Sequence, residues 1–412
     1  MVVVRPFRGL RPQKGLAGKI ASPPYDVLDS NEARQIVGKN EHSFLRVVKP
    51  EVDLDPDADL YSDEVYQKGA ENLRLMMDTG ALVQDPEPGY YFYRQIMGDH
   101  SQVGLVATVS ADDYDNDLIK KHEFTRPEKE KDRVRHIMTQ RAQCGPVFLT
   151  YPDVPELNAI QEKVCDGEPV ADFTADDGIR HTVWAVNDIG DVEGIWDIFS
   201  GVGQLYVADG HHRSAAGSIV ARRMRDVNPG HTGDEEYNYF LAVIFPQSHM
   251  RILAYNRAAV DLCGMDAREF LMRLEHDFIV WENAPPVPEE VHHISMYLDG
   301  KWFGLMPRPG SFPTGDPVKS LDYSILQDNL LAPLLGIDDP RTSQRIKFVG
   351  GIRGTGELEK LVGSGRFTVA FSMYPVSLDQ LFAVADSGNV MPPKCTWFEP
   401  KLRSGLIVHL LD

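Results

Sequence analysis

Two periods of apolar residues run along this chain. Short apolar runs at Tyr90–Gln95 and Val103–Val109 flank a Gly98–Asp99 turn and predict a β-hairpin. Further runs predict buried strands in CGPVFLTY (Cys144 to Tyr151), HTVWAV (from His181), GQLYVAD (from Gly203) and FLAVIF (from Phe240), then at Arg345–Val349 and Thr368–Met373. Between them the spacing turns helical. Residues 63–79 form one such stretch, with Val65, Leu73, Met76 and Met77 available for an apolar face and Gly80 at its end. Pro127 to about Arg141 is another. A third follows Gly210, where Ala215, Ala216, Ile219, Val220 and Met224 share a face. Later helices are expected at 326–335, 357–362 and 378–385. Asp29 with Glu32, and Thr125 with Glu128, have the spacing of capping boxes, and Pro127 suits a first helical turn. Residues 153–180 are polar and predict a loop with one short helix.

Alternating strands and helices predict an α/β (mixed α+β) protein. A length of 412 residues suggests two or three domains. The loop NAPPVPE at 283–289 is the best place to divide it, into 1–284 and 285–412; the acidic stretch near 160–175 is the other candidate.

The net charge of −19 argues against nucleic acid as a partner, because phosphate neutralisation needs a basic surface. No run approaches 18 apolar residues, and the N-terminus MVVVRPFRGLRP lacks the pattern of a secretory signal, so no membrane partner is expected. Four cysteines, none closer than 21 residues to another, give no zinc ribbon and read as reduced structural thiols of a cytoplasmic protein.

The strongest chemical signal is VADGHHR, Val207 to Arg213. A strand turns at Gly210 and opens a helix whose first N–H groups are unpaired and carry the positive end of the dipole. His211, His212 and Arg213 add donors, so the junction reads as a phosphate cradle beside Asp209; the alternative is a plain Asp-Gly turn with its His and Arg in solvent. Zinc is the weaker reading, because adjacent helical histidines diverge by roughly 100 degrees. In HEFTRPEKEKDR, Glu123 is a candidate general base or metal ligand, and His122, Arg126 and Arg133 are candidate phosphate contacts; a capped, charge-laced surface helix explains the same residues. In SPPYDVL two prolines present Tyr25 and Asp26, either as a rigid turn or toward an ammonium group or a metal shell. FVGGIRGTGELEKL (Phe348 to Leu361) lacks a Walker pattern and reads as a glycine-rich turn before a helix. In the tail MPPKCTWFEPKLRSG, Lys394, Glu399 and Lys401 either line a site or form an ionic lock.

VADGHHR resembles the nucleotide-binding motif of the ParB/sulfiredoxin superfamily. SPPYDVL, HEFTRPEKEKDR, CGPVFLTY, VADGHHR, RIKFVGG and MPPKCTWFEPKLRSG together resemble a large bacterial and archaeal family, the domain of unknown function numbered one thousand and fifteen. They run from residue 22 to residue 405. The resemblance implies a ParB/sulfiredoxin-like nucleotide-binding core over 1–284 with additional α/β elements, and kinship with archaeal kinases that phosphorylate free L-serine for cysteine biosynthesis. It implies ATP or ADP with Mg²⁺ as cofactor and a small hydroxy-amino acid as substrate. Carried over, Asp209 to Arg213 would hold nucleotide phosphates, Glu123 would be the base with His122 beside it, and Tyr25 and Asp26 would lie near the nucleotide or amino acid. A non-catalytic, regulatory nucleotide binder is the alternative. Two departures stand out: Cys395 replaces a serine of the tail string, and FPQSHMRILAYNRA lacks a PTHR string.

Overall fold

The apolar runs of the first 250 residues become strands of one mixed sheet. They are β1 (Val4–Arg5), β2 (Tyr90–Met97), β3 (His100–Ser110), β4 (Ile119–Lys120), β5 (Val147–Tyr151), β6 (Ala171–Thr174), β7 (Arg180–Val186), β8 (Leu205–Asp209) and β9 (Tyr239–Pro246). The order is β4-β8-β5-β9-β3-β2-β7-β6, with β1 also on β3. β8 runs parallel to β4 and antiparallel to β5, and β9 runs parallel to β5. The computed structural model describes all residues, 1–412. They form two compact units: Met1–Met250 with Pro400–Asp412, and Arg251–Glu399.

The longer helices of the first unit are α1 (Ser30–Val37), α2 (Asp63–Asp78), α3 (Pro127–Gln140), α4 (Glu156–Cys165), α5 (Ile189–Ser200) and α6 (His211–Val227). Every residue from Phe240 to Phe245 is buried, as an interior strand of a covered sheet requires. Leu105, Ala107, Leu149, Ala242 and Ile244 share one cluster with Leu157 of α4 and Ile195 and Phe199 of α5. On α6, Ala216, Val220 and Met224 pack with Val134 of α3, and Ile219 joins as a partly buried neighbour. Asp29 and Glu32 form the expected capping box on α1. On α2, Val65, Leu73 and Met76 are buried, while Met77 is turned outward.

Three features differ from the sequence reading. α5 was not expected, and its apolar residues are divided between buried Ile195 and Phe199 and exposed Ile189 and Trp196. β6 lies in the polar stretch 153–180; it is an edge strand paired only with β7, so its residues are never fully buried. The helix expected at 326–335 begins earlier, at Asp322, and widens into a π-turn over Gln327–Leu331.

The second unit holds a six-stranded sheet: β10 (Tyr255–Ala259), β11 (Phe278–Glu282), β12 (Ile294–Leu298), β13 (Lys301–Pro307), β14 (Ile346–Gly350) and β15 (Val369–Ser372), ordered β11-β13-β12-β15-β10-β14. The division expected near residue 285 falls inside this unit. The proline loop at 283–289 joins β11 to β12, and both pair with β13. FVGGIRGTGELEKL is the end of β14, one short turn and a helix (Gly354–Gly363), as read. The unit's two ends lie side by side: Ile252–Leu253 pair with Trp397–Phe398, and Glu399 N–H donates to the Arg251 carbonyl at 3.2 Å.

α6 approaches β9 closely at Gly217, where a Cβ would lie 2.9 Å from the Phe240 Cβ. Alanine raises helix propensity there by about 1 kcal/mol, but overpacking costs about 1–3 kcal/mol. Gly217→Ala is therefore expected to lower stability in chemical denaturation; a more stable variant would show that the two elements slide apart freely.

Candidate functional site

The site is built where β8 hands over to α6. β8 is buried to Ala208, and its pairing with β5 becomes irregular between Val207 and Asp209. Gly210 has φ +93°, a left-handed conformation that favours glycine. A Cβ there would also crowd Arg213 Nε at 3.1 Å. The Gly210 carbonyl accepts from the N–H groups of Arg213 and Ser214 at 2.8 and 3.0 Å. No side chain caps this end of the helix. The first N–H groups of a 17-residue helix thus lie next to Asp209, the arrangement that binds anions.

Charges converge on this junction. Asp209 Oδ1 accepts from the Gly210 N–H at 2.8 Å, and Oδ2 accepts from Lys401 Nζ at 2.8 Å. Burial alone would raise the Asp209 carboxyl, but the Lys401 ammonium, then the Arg213 guanidinium, outweigh it and hold the acid well below the usual carboxylate range. Arg213 itself donates to the Pro146 carbonyl.

The segment before α3 is fastened to the first turn of α6 by histidines. His122 and His211 are 2% and 5% exposed, and their rings meet edge to face with centroids 4.4 Å apart. Neither nitrogen of His122 makes a hydrogen bond of ordinary geometry, nor does His211 Nε2. Burial lowers both; His211 falls to about 4, and the neighbouring His211 adds to the burial effect on His122. Glu123 is about half exposed, with Oε2 3.9 Å from His211 Nδ1. His212 Nε2 accepts from the Arg126 N–H at 3.0 Å. That contact replaces the expected capping box. Arg126, not Thr125, is the N-cap of α3; it has no side-chain cap bond, and the Thr125 hydroxyl donates to Glu130. The Arg126 side chain is exposed, and one ring nitrogen of His212 is already committed.

Arg133, in contrast, points inward. Its guanidinium stacks 3.8 Å from the centroid of the Tyr25 ring and bonds Asp132 Oδ2 at 2.9 and 2.5 Å. Tyr66 donates its hydroxyl to the other Asp132 oxygen at 3.0 Å. Burial raises the Tyr25 phenol, against the pull of Arg133. Tyr25, Arg133, Gly145, Arg213 and Ser404 line a recess of about 50 Å³ that opens to solvent, together with Cys144 and Phe240. Asp26 is exposed, close enough to His212 to favour its protonated form slightly.

The structure therefore gathers Asp209 to Arg213, His122, Glu123, Arg133 and Tyr25 in one region, and brings the backbone of Arg126 there without its guanidinium. Of the three tail residues, only Lys401 is in this unit. Lys394 lies over the Tyr255 ring and Glu399 accepts from Trp397 Nε1, both within the second unit. Asp132 and Tyr66 escaped the sequence reading; the only signal was an acid in the second turn of a helix already suspected of site residues.

The family model described as "Protein of unknown function (DUF1015)" matches residues 4–324. The chain belongs to the DUF1015 family. No curated protein matches this DUF1015 chain. Among solved structures it is similar to a free serine kinase in complex with AMP, at 12% identity and TM-score 0.36, over 73% of this chain and 92% of that one. It is also similar to SbnI with a C-terminal truncation from Staphylococcus aureus, at 13% and 0.38, over 74% and 87%. A third likeness is a conserved hypothetical protein from Pyrococcus furiosus, at 13% and 0.34, over 73% and 95%. No helix of the DUF1015 chain is long and apolar enough to cross a membrane.

Burial holds His211 near 4, His181 near 3, and His122 and His136 well below the ordinary histidine value. Unfolded, each binds a proton below about pH 6.5, while the folded chain refuses it. Their contribution to stability is thus full above pH 6.5 and is lost as pH falls; for His211 the loss runs down to about 4, by about 1.4 kcal/mol per pH unit. His211→Asn is expected to flatten the pH dependence of the unfolding free energy by that amount between pH 6 and 4.5. An unchanged slope would mean that His211 is protonated in the fold.

Proposed function

We propose that this chain is an ATP-dependent small-molecule kinase whose first candidate acceptor is the hydroxyl of free L-serine. The observation that carries the reading is the uncapped N-terminus of α6 behind a left-handed glycine, with two guanidinium groups, Arg133 and Arg213, lining one recess beside it. Serine as acceptor comes from the resemblance of the sequence strings to relatives of the free-serine kinases. The charge of −19 favours a small substrate over nucleic acid, and four cysteines without a disulfide suit the cytoplasm.

Phosphoryl transfer asks the protein mainly to position groups and to stabilise charge. The His211 and His212 N–H groups and Arg213 would hold the phosphates of ATP. The acceptor would enter through the recess, with its carboxylate toward Arg133. Glu123, held near the neutral His211, is the group to take the proton as the acceptor oxygen attacks. Neutral histidines suit this task, because a cationic ring beside Glu123 would make it a poorer base.

Magnesium fits as a rider on the nucleotide. Mg²⁺ in such sites takes one or two carboxylates plus phosphate oxygens, and no group of three metal-ligating side chains is needed or present. Asp26 and Glu123 are the exposed carboxylates here, while Asp209 is already held by Lys401 and the Gly210 N–H. When bound, the ion would screen the phosphate charge.

The test is incubation with ATP, Mg²⁺ and a panel of free hydroxy-amino acids, with products read by mass spectrometry. O-phosphoserine is expected. Asp209→Asn and Arg213→Ala are each expected to abolish turnover with the fold intact, and Glu123→Gln to lower kcat by about 10²–10⁴ with little effect on nucleotide affinity. Nucleotide binding without any product would favour a regulatory nucleotide binder instead.

A further inference from the structure

Lys401 enters the site from a segment 192 residues beyond Asp209, after the chain has passed through the second unit. Its ammonium donates to Asp209 Oδ2 at 2.8 Å, while Oδ1 is fixed by the Gly210 N–H at 2.8 Å. The carboxylate therefore has one defined orientation. The pair is largely enclosed, with side chains 20% and 30% exposed. The other groups that face Asp209 are Arg213, His211 and His122. Both histidines are neutral, and Arg213 is tied to the Pro146 carbonyl. Lys401 is the cation directly bonded to this carboxylate.

This arrangement creates a conflict that only a counter-charge resolves. The open N–H groups of α6 invite an anion, yet the preceding residue is itself an anion. Bare, Asp209 would repel a polyphosphate from the helix end it adjoins. We propose that Lys401 is a positioning residue of the nucleotide site: it cancels and orients the Asp209 carboxylate so that a polyphosphate can settle on the N-terminus of α6. The inference rests on the kinase reading only for the existence of polyphosphate binding. A structural lock alone would show in denaturation, where removing one member leaves an uncompensated charge and replacing both is often neutral, and would leave the ligand affinity of the folded chain unchanged.

The experiment is calorimetric titration of the full chain with ADP and with inorganic tripolyphosphate, alongside denaturation of every variant. Lys401→Met is expected to weaken both ligands by about tenfold or more. Lys401→Arg, which keeps the charge, is expected to bind like the parent. The double variant Asp209→Asn with Lys401→Met is expected to regain most of the binding but none of the turnover. A Lys401→Met protein that binds like the parent, or a double variant no better than Lys401→Met alone, would overturn the assignment while leaving the nucleotide reading intact. Should Lys401→Met not fold, Lys401→Gln compared with Lys401→Arg reads the same charge: a weaker Gln variant supports the assignment, and equal binding overturns it. A parent chain that binds neither ligand removes the nucleotide reading and this inference together.

Discussion

A carboxylate can stand at the mouth of a helix N-terminus without blocking it only if a cation stands against it. The β8–α6 junction depends on that compensation. Gly210 turns the chain sharply enough to bring Asp209 beside the free N–H groups of α6, and the same turn places the acid's two oxygens between a backbone donor and Lys401. Arg213 extends the positive region to the recess, where Arg133 joins it. Arg133 is itself steadied by Asp132, which Tyr66 holds from α2. The site is thus a chain of paired charges that leaves a surplus of donors facing the recess.

What was legible in the sequence was local. The strand, the turn and the helix of VADGHHR follow from neighbours in the chain, so a run of seven residues was enough to place the junction and its turn at Gly210. The hairpin about Gly98 and the box at Asp29 and Glu32 were readable for the same reason. What failed depended on distant partners. Thr125 and Glu128 have the spacing of a capping box, yet His212, 86 residues away, takes the Arg126 N–H and leaves Thr125 to Glu130. The proline loop at 283–289 was correctly read as a loop, but its flanking strands share β13, a pairing no local pattern reports. Lys401 could be suspected, though not distinguished from Lys394 and Glu399, because only the return of the chain to the first unit separates them.

The buried histidines give the site its second character. His122 and His211 stack edge to face in a region where a protonated ring would have to share space with Arg213 and Lys401. Burial disfavours a charge on both, so the positive charge facing a ligand comes from the lysine and the guanidinium groups instead. The cost is a pair of imidazoles with nitrogens that find no good partner inside the protein.

The insertion of Arg251–Glu399 into the first unit also sets an order of events in the cell. Asp209 leaves the ribosome 192 residues ahead of Lys401. At roughly 5–20 residues per second, the interval is on the order of 10–40 s. Through that time β8 and α6 are available to fold, but the acid at their junction has no lysine. The paired ends of the inserted unit, Ile252–Leu253 against Trp397–Phe398, then bring the chain back to the point it left. A nascent chain interrupted between residues 213 and 401 would carry the whole VADGHHR string and still present a negatively charged doorway.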